Sequence, residues 1–154
     1  MANPSSVAHC RTQRGVTLLE LLIVVAIVAI ISAFAYPSYT RYIVNTKRTV
    51  ATSALLQIAD RQQQFFMDNK QFADDLTDLG FAANPLVLAD DGNDVAAGDG
   101  DAVYSVSLSN VAVTTYTITA APLHGQGDRD TDCASLTLNQ AGARGNSAGG
   151  DDCW

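Results

Sequence analysis

The feature that most limits what this chain can fold into is residues 16–35, a run of twenty with a single charge, Glu20. At a helical rise of 1.5 Å per residue, that run spans about 30 Å, the thickness of a bilayer's hydrocarbon core. A helix buried inside a soluble domain is the alternative, but the length favours a membrane helix. A secretory signal has a shorter apolar stretch followed by a small-residue cleavage site. Here Gly15 precedes the run and no such site follows it cleanly. A retained membrane helix is therefore expected. Glu20 is costly in that setting, since a charge near the centre of a membrane helix costs roughly 2.5–3.5 kcal/mol. A cost of that kind usually has a functional reason, the bland alternative being a carboxylate that reaches the headgroups.

Beyond the run the helical pattern continues. Pro37 removes one backbone donor and predicts a kink over residues 33–37. Ala51, Ala54, Leu55, Ile58, Gln62, Phe65 and Phe66 then recur at spacings of three and four, with only Gln62 polar. That stripe should pack on a sheet. Good helix formers run out near Asp68 and Asn69. Residues 71–101 read as a connecting region, with turn chemistry at Asn84-Pro85 and around Gly92.

Strand signals follow. Tyr104, Val106 and Leu108 alternate with Val103, Ser105 and Ser107. Asn110 marks a turn, and residues 113–121 form the second arm of a hairpin. Residues 124–132 read as a polar loop, 133–139 as a third strand, and 145–152 as a Gly, Ser and Asp loop. The fold class is α+β: one long helix, then a small antiparallel sheet.

Charge and cysteines narrow the function. The net charge is −7, and residues 50–154 carry four bases against fifteen acids, a balance of −11. An acidic domain makes nucleic acid an unfavoured partner. Cys133 and Cys153 lie beyond the apolar run and would pair in an oxidising compartment; two buried thiols are the alternative. Beyond residue 15 one histidine remains, His124, and no Cys/His or Ser/His/Asp motif stands out, so an enzyme is not expected. Asp90, Asp91, Asp94, Asp99 and Asp101 lack the twelve-residue calcium-loop spacing ending in Glu, so a solvated loop is expected over 90–101, and no cofactor or metal. The positive-inside count is ambiguous, with Arg11 and Arg14 before the run and Arg41, Lys47 and Arg48 after it.

The junction Gly15-Val16-Thr17-Leu18-Leu19-Glu20, followed by LLIVVAIVAIISAFAYPSY, closely resembles the class III signal of type IV prepilins. Valine at position 16 departs from that family's usual phenylalanine. Residues 51–66, Asn69, Phe72 and Leu79-Gly80 resemble the minor pilins of the PilE kind. So does the ending, with residues 116–120, Cys133, residues 136–138, Gly142 and Cys153-Trp154. Apart from Phe72 and Leu79-Gly80, the resemblance does not cover residues 71–101.

The resemblance implies a leader over 1–15, cleavage after Gly15 by a prepilin peptidase and N-methylation of Val16. It further implies a transmembrane and assembly helix over 16–36 and a pilin globular domain over 37–154 that includes the amphipathic half of the helix. Cys10 would leave with the leader. Glu20 would pair with the Val16 amine of a neighbouring subunit, within an apolar bundle that screens charge weakly. The implied partners are other pilin subunits, the peptidase, the inner-membrane assembly machinery and membrane lipid. The implied location is the inner membrane, with the C-terminal domain periplasmic, and then the pilus surface. The expected function is a minor pilin of a type IV pilus. A type II secretion pseudopilin and a DNA-uptake minor pilin with a DNA-binding face remain as alternatives.

Overall fold

The computed structural model describes residues 15–154. The expected leader therefore lies outside the described residues except for Gly15, and Cys10 lies outside them too. The chain divides into two compact units, Met1–Tyr39 and Thr40–Trp154.

In the first unit, helix α1 (Leu18–Asn69) begins, and it continues through Pro37. An 18-residue window of α1 has a mean hydropathy of 2.9, and none of that window is buried. Leu18 is 81% exposed and Phe34 77%, so these side chains have no protein core to enter. A helix apolar on all sides needs an apolar surrounding, which lipid or other helices supply.

In the second unit, α1 buries Val44, Ala51, Ala54, Leu55, Ile58 and Gln62. The small residues Ala51 and Ala54 allow close approach, and Leu55 and Ile58 fill the core beside Tyr104, Val106, Ile118 and Leu136. The stripe weakens at Phe65 and Phe66, which are half-buried. Phe66 lies 4.8 Å from Phe72, whose ring meets Tyr116 edge-on at 4.7 Å. Gln62, the polar member of the stripe, is fully buried because its amide acts as a strand would. Its Nε2 donates to Ala73 O at 2.8 Å and its Oε1 accepts from Ala73 N at 2.9 Å.

The sheet has five strands rather than three: β1 (Leu86–Ala89), β2 (Ala102–Ala112), β3 (Thr115–Pro122), β4 (Leu136–Asn139) and β5 (Arg144–Asn146). They lie in chain order, β1-β2-β3-β4-β5, every neighbouring pair antiparallel. The region 71–101 is more than a connection, since it holds a 3-10 turn (Thr77–Leu79) and all of β1, whose four residues are buried. Four apolar residues without alternation carry no period-2 signal, because both faces of β1 are covered. Beyond β1 the chain doubles back: Ala89 N donates to Asn93 O and Val95 N to Val87 O.

Asn110 does not turn the hairpin. It sits inside β2 at φ 50°, where the register slips between Ser109 and Ala112, and the reversal falls at residues 113–114. A left-handed asparagine marks a bulge as readily as a turn. The third expected strand shortens to β4, beginning at Leu136, and the Gly-rich ending contains β5. The polar loop 124–132 holds a short helix, α2 (His124–Arg129).

The ending is held closely. Cys133 and Cys153 form a disulfide with Cα atoms 5.6 Å apart. Gly150 N donates to Asp132 O at 3.0 Å, and a Cβ at Gly150 would overlap that same oxygen. Trp154 Nε1 donates to Gly145 O at 3.0 Å, and the Arg144 guanidinium lies 5.3 Å from the indole ring centre.

Candidate functional site

Two constellations emerge, one in each unit. The first is the start of α1. Gly15 is exposed and outside any regular element, and Val16 is 65% exposed. Thr17 stands just before the first helical residue, and its Oγ1 accepts from Glu20 N at 3.2 Å. This is one half of a capping box, in which a hydroxyl satisfies an orphan amide three residues on. Glu20 lies in the first turn, where a negative side chain offsets the positive helix end by typically 0.3–1 kcal/mol. A carboxylate that is costly in lipid is thus placed where the helix tolerates it best. The Thr17–Glu20 spacing was visible in the sequence as a capping signal and was passed over.

Pro37 lies inside α1, which runs on across it to Asn69. A side chain at Gly15 would meet nothing within 4 Å, so the folded chain does not itself require glycine there.

The second constellation is a buried polar network in Thr40–Trp154. Asp130, at the end of α2, is fully buried. Arg48 of α1 meets it with both faces of its guanidinium fork: Nη2 to Oδ1 at 2.6 Å and Nε to Oδ2 at 3.1 Å. Tyr104 Oη donates to Asp130 Oδ2 at 3.3 Å. Gln126 Nε2 reaches Tyr104 Oη at 3.0 Å, Asp130 Oδ2 at 3.3 Å and Val44 O at 3.3 Å. Arg48 Nη1 also donates to Asp152 O at 3.3 Å, one residue before the disulfide. One carboxylate therefore ties α1, β2 and α2 together, and its partner Arg48 adds the C-terminal segment.

The electrostatics follow from this geometry. The hydrogen bond to Asp130 raises the Arg48 guanidinium above its usual range. Burial pushes the Tyr104 phenol up to about 12, and the nearby Asp130 carboxylate adds to the effect. Burial likewise raises Tyr116. The network joins segments distant in sequence, and what the geometry shows of it is cross-bracing. Sequence reading missed it because its members are 82 residues apart, Arg48 to Asp130, and carry no shared motif.

In the acidic loop, Asp91 accepts from Asn93 N at 2.9 Å and from Asn93 Nδ2 at 2.6 Å, while Asp99 accepts from Asp101 N at 3.0 Å. The Asn93 bonds hold the Asp91 carboxyl below its ordinary range. These carboxylates shape the turns. Among the described residues, no group of three or more His, Cys, Asp or Glu is arranged to hold a metal ion.

Comparison with known proteins gives the family. Residues 37–137 match the family model described as type IV minor pilin ComP, DNA uptake sequence receptor. Residues 10–36 match the prokaryotic N-terminal methylation motif. The type IV major pilin protein PilA of Myxococcus xanthus is 36% identical over 69 residues, 45% of this chain and 31% of that protein. A fimbrial protein of Pseudomonas aeruginosa is 32% identical over 83 residues, 50% of this chain and 54% of its own length. The chain thus spans about a third to a half of these two relatives. The type IV major fimbrial protein FimA of Dichelobacter nodosus is 33% identical over 126 residues, 74% of this chain and 78% of that protein. A solved type IV pilin from Shewanella oneidensis is 16% identical, covers 70% of this chain and 92% of its own, and superposes with a TM-score of 0.43. A methylation motif and a minor-pilin domain adjoin one another along a chain whose helix leads into an antiparallel sheet, and the chain belongs to the type IV pilins, in the minor-pilin family of ComP.

Proposed function

We propose that the protein is a minor subunit of a type IV pilus, stored in the inner membrane through residues 16–36 with its C-terminal domain in the periplasm. On this reading a prepilin peptidase removes residues 1–15 and methylates the amine of Val16. Glu20 then pairs with the Val16 amine of a neighbouring subunit as the helix leaves lipid for the apolar bundle, drawn in by the inner-membrane assembly machinery. The observation that carries the proposal is the junction at Gly15. It is a residue the fold leaves unconstrained, placed where a polar stretch meets an exposed apolar run, residues 16–35, whose only charge, Glu20, sits in the first turn of α1.

The test is the intact mass of the membrane-extracted protein. Loss of residues 1–15 with one added methyl is expected, and Gly15→Trp should abolish the processing while the C-terminal domain folds normally. Protein that retains Met1 in cells with an active peptidase contradicts the proposal.

The matched family's own description favours a second reading, a receptor for DNA. Against it stands the balance of −11 over residues 50–154, since duplex affinity rests on neutralising phosphates with Lys and Arg. The full chain titrated with duplex DNA at physiological salt should bind weakly. Submicromolar affinity would reverse the order of the two readings.

A further inference from the structure

Among the described residues, the Thr40–Trp154 unit has an open groove of about 620 Å³ between α1 and β1. Its floor is apolar: Val50, Ala54, Phe81, Leu86 and Leu88. Its walls are polar but lack any cation. Ser53 and Gln57 come from α1, and Asp91 and Asp94 from the loop after β1. Asp91 uses both oxygens on Asn93, whereas the Asp94 side chain makes no hydrogen bond or ion pair with another described residue. The volume lies in the range that takes a ligand of many atoms, far larger than one side chain needs. An apolar floor under an acidic rim suits a segment whose lysine or arginine stems lie along the floor while the charges reach the rim.

We propose that this groove receives a short basic segment of a neighbouring pilus subunit whose sequence differs from this one. The inference rests on the pilus-subunit reading. A second copy of this chain is a poor occupant for two reasons. Its Thr40–Trp154 unit carries seven bases against fifteen acids, a balance of −8, and brings that toward an acidic rim. Four of that unit's seven cations are also engaged: Arg48 with Asp130, Arg61 with Leu79 O, Lys70 with Met67 O and Arg144 over Trp154. The groove thereby seats the protein beside a more basic subunit and opposes runs of this chain with itself, specificity by repulsion as well as attraction.

The test places a benzophenone-bearing amino acid at Ser53, an exposed position on the groove wall, in the full-length chain expressed in pilus-forming cells. After irradiation, sheared pili and membranes are analysed by peptide mass spectrometry. The expected adduct in pili is to a different subunit, on a peptide carrying Lys or Arg. Asp91→Lys with Asp94→Lys should reduce that adduct at least tenfold while membrane level and processing stay unchanged. The milder pair Asp91→Asn and Asp94→Asn, which keeps the turn at Asn93, should reduce it severalfold. An adduct to a second copy, an adduct on a segment without bases, or one indifferent to both substitutions overturns the proposal. So does no adduct from a chain that is present in pili. Absence of the unlabelled wild-type chain from pili instead removes the pilus-subunit reading, and this inference with it.

Discussion

Asp130→Ala is the substitution with the largest effect that the structure allows to be worked out. It deletes the acceptor on which Arg48, Tyr104 and Gln126 converge. The Arg48 side chain is only 12% exposed, so its charge stays largely out of water without its partner. Removing one member of a buried pair costs about 3–5 kcal/mol, whereas a domain's whole stability is about 5–15 kcal/mol. At roughly 4 °C per kcal/mol for a unit of this size, the midpoint should fall by roughly 12–20 °C. Trp154 is the only tryptophan and reports directly, since its indole is held at Gly145 O. Thermal and urea unfolding of the full chain in neutral detergent, followed by Trp154 fluorescence, gives the loss. The double variant Arg48→Met, Asp130→Leu removes both charges and leaves Gln126 its bonds to Tyr104 Oη and Val44 O. It should cost less than Asp130→Ala alone, because replacing a whole buried pair with apolar groups is often neutral. An Asp130→Ala protein within 1 kcal/mol of wild type, or a double variant less stable than the single one, would refute this account of the network.

The other predictions concern the bridge, the phenol and the assembly helix. Cys153→Ser opens a loop closed across a separation of 20 residues and should cost about 3 kcal/mol in the chain-entropy model, read as an earlier urea midpoint; an unchanged midpoint in oxidised protein contradicts it. Tyr104 is held neutral by burial, with its phenol raised above the ordinary value near 10, so its contribution is complete below pH 10 and is lost as pH rises from about 10 toward 12. The phenolate absorbance absent from Tyr104→Phe should therefore develop together with the loss of Trp154 fluorescence, and a Tyr104 step completed near pH 10 in folded protein argues against it. If the proposed pairing holds, Glu20→Leu should leave membrane level and leader processing normal and sharply reduce the protein in sheared pili, because the neighbour's Val16 amine would lose its partner. Wild-type incorporation would return Glu20 to a carboxylate resting at the headgroups.

The elements legible in the sequence are those with a strong local period. The apolar run, the stripe from Ala51 to Ile58, the helix end at Asn69 and the alternation of β2 all follow from spacing that one or two turns or strands suffice to display. What escaped was decided by partners distant in sequence. β1 has no alternation because both its faces are covered, and β5 is three residues made a strand only by pairing with β4. Asn110 gave a correct local signal, a left-handed backbone, but that conformation serves a bulge here. Gln62 was visible as the exception in an apolar stripe, yet the reason it is buried, the backbone of Ala73, lies around a corner of the chain. In the site, the methylation motif over residues 10–36 was readable because it is contiguous in sequence. Arg48 and Asp130 were not, since only the fold makes them neighbours.

The doubling back of the chain after β1 bears on how such subunits join. A sheet ends in two outer strands, and each offers free amides and carbonyls to any other chain that can pair with them. On one side, residues 93–95 occupy that position, with Val95 N on Val87 O, Asn93 O on Ala89 N and a bridge from Asp94 to Leu88. On the other, β5 offers only three residues. Strand-to-strand addition between subunits is thus blocked at one border of the sheet and curtailed at the other. Sheet-mediated association is thereby disfavoured, while the apolar side chains at the start of α1 stay exposed.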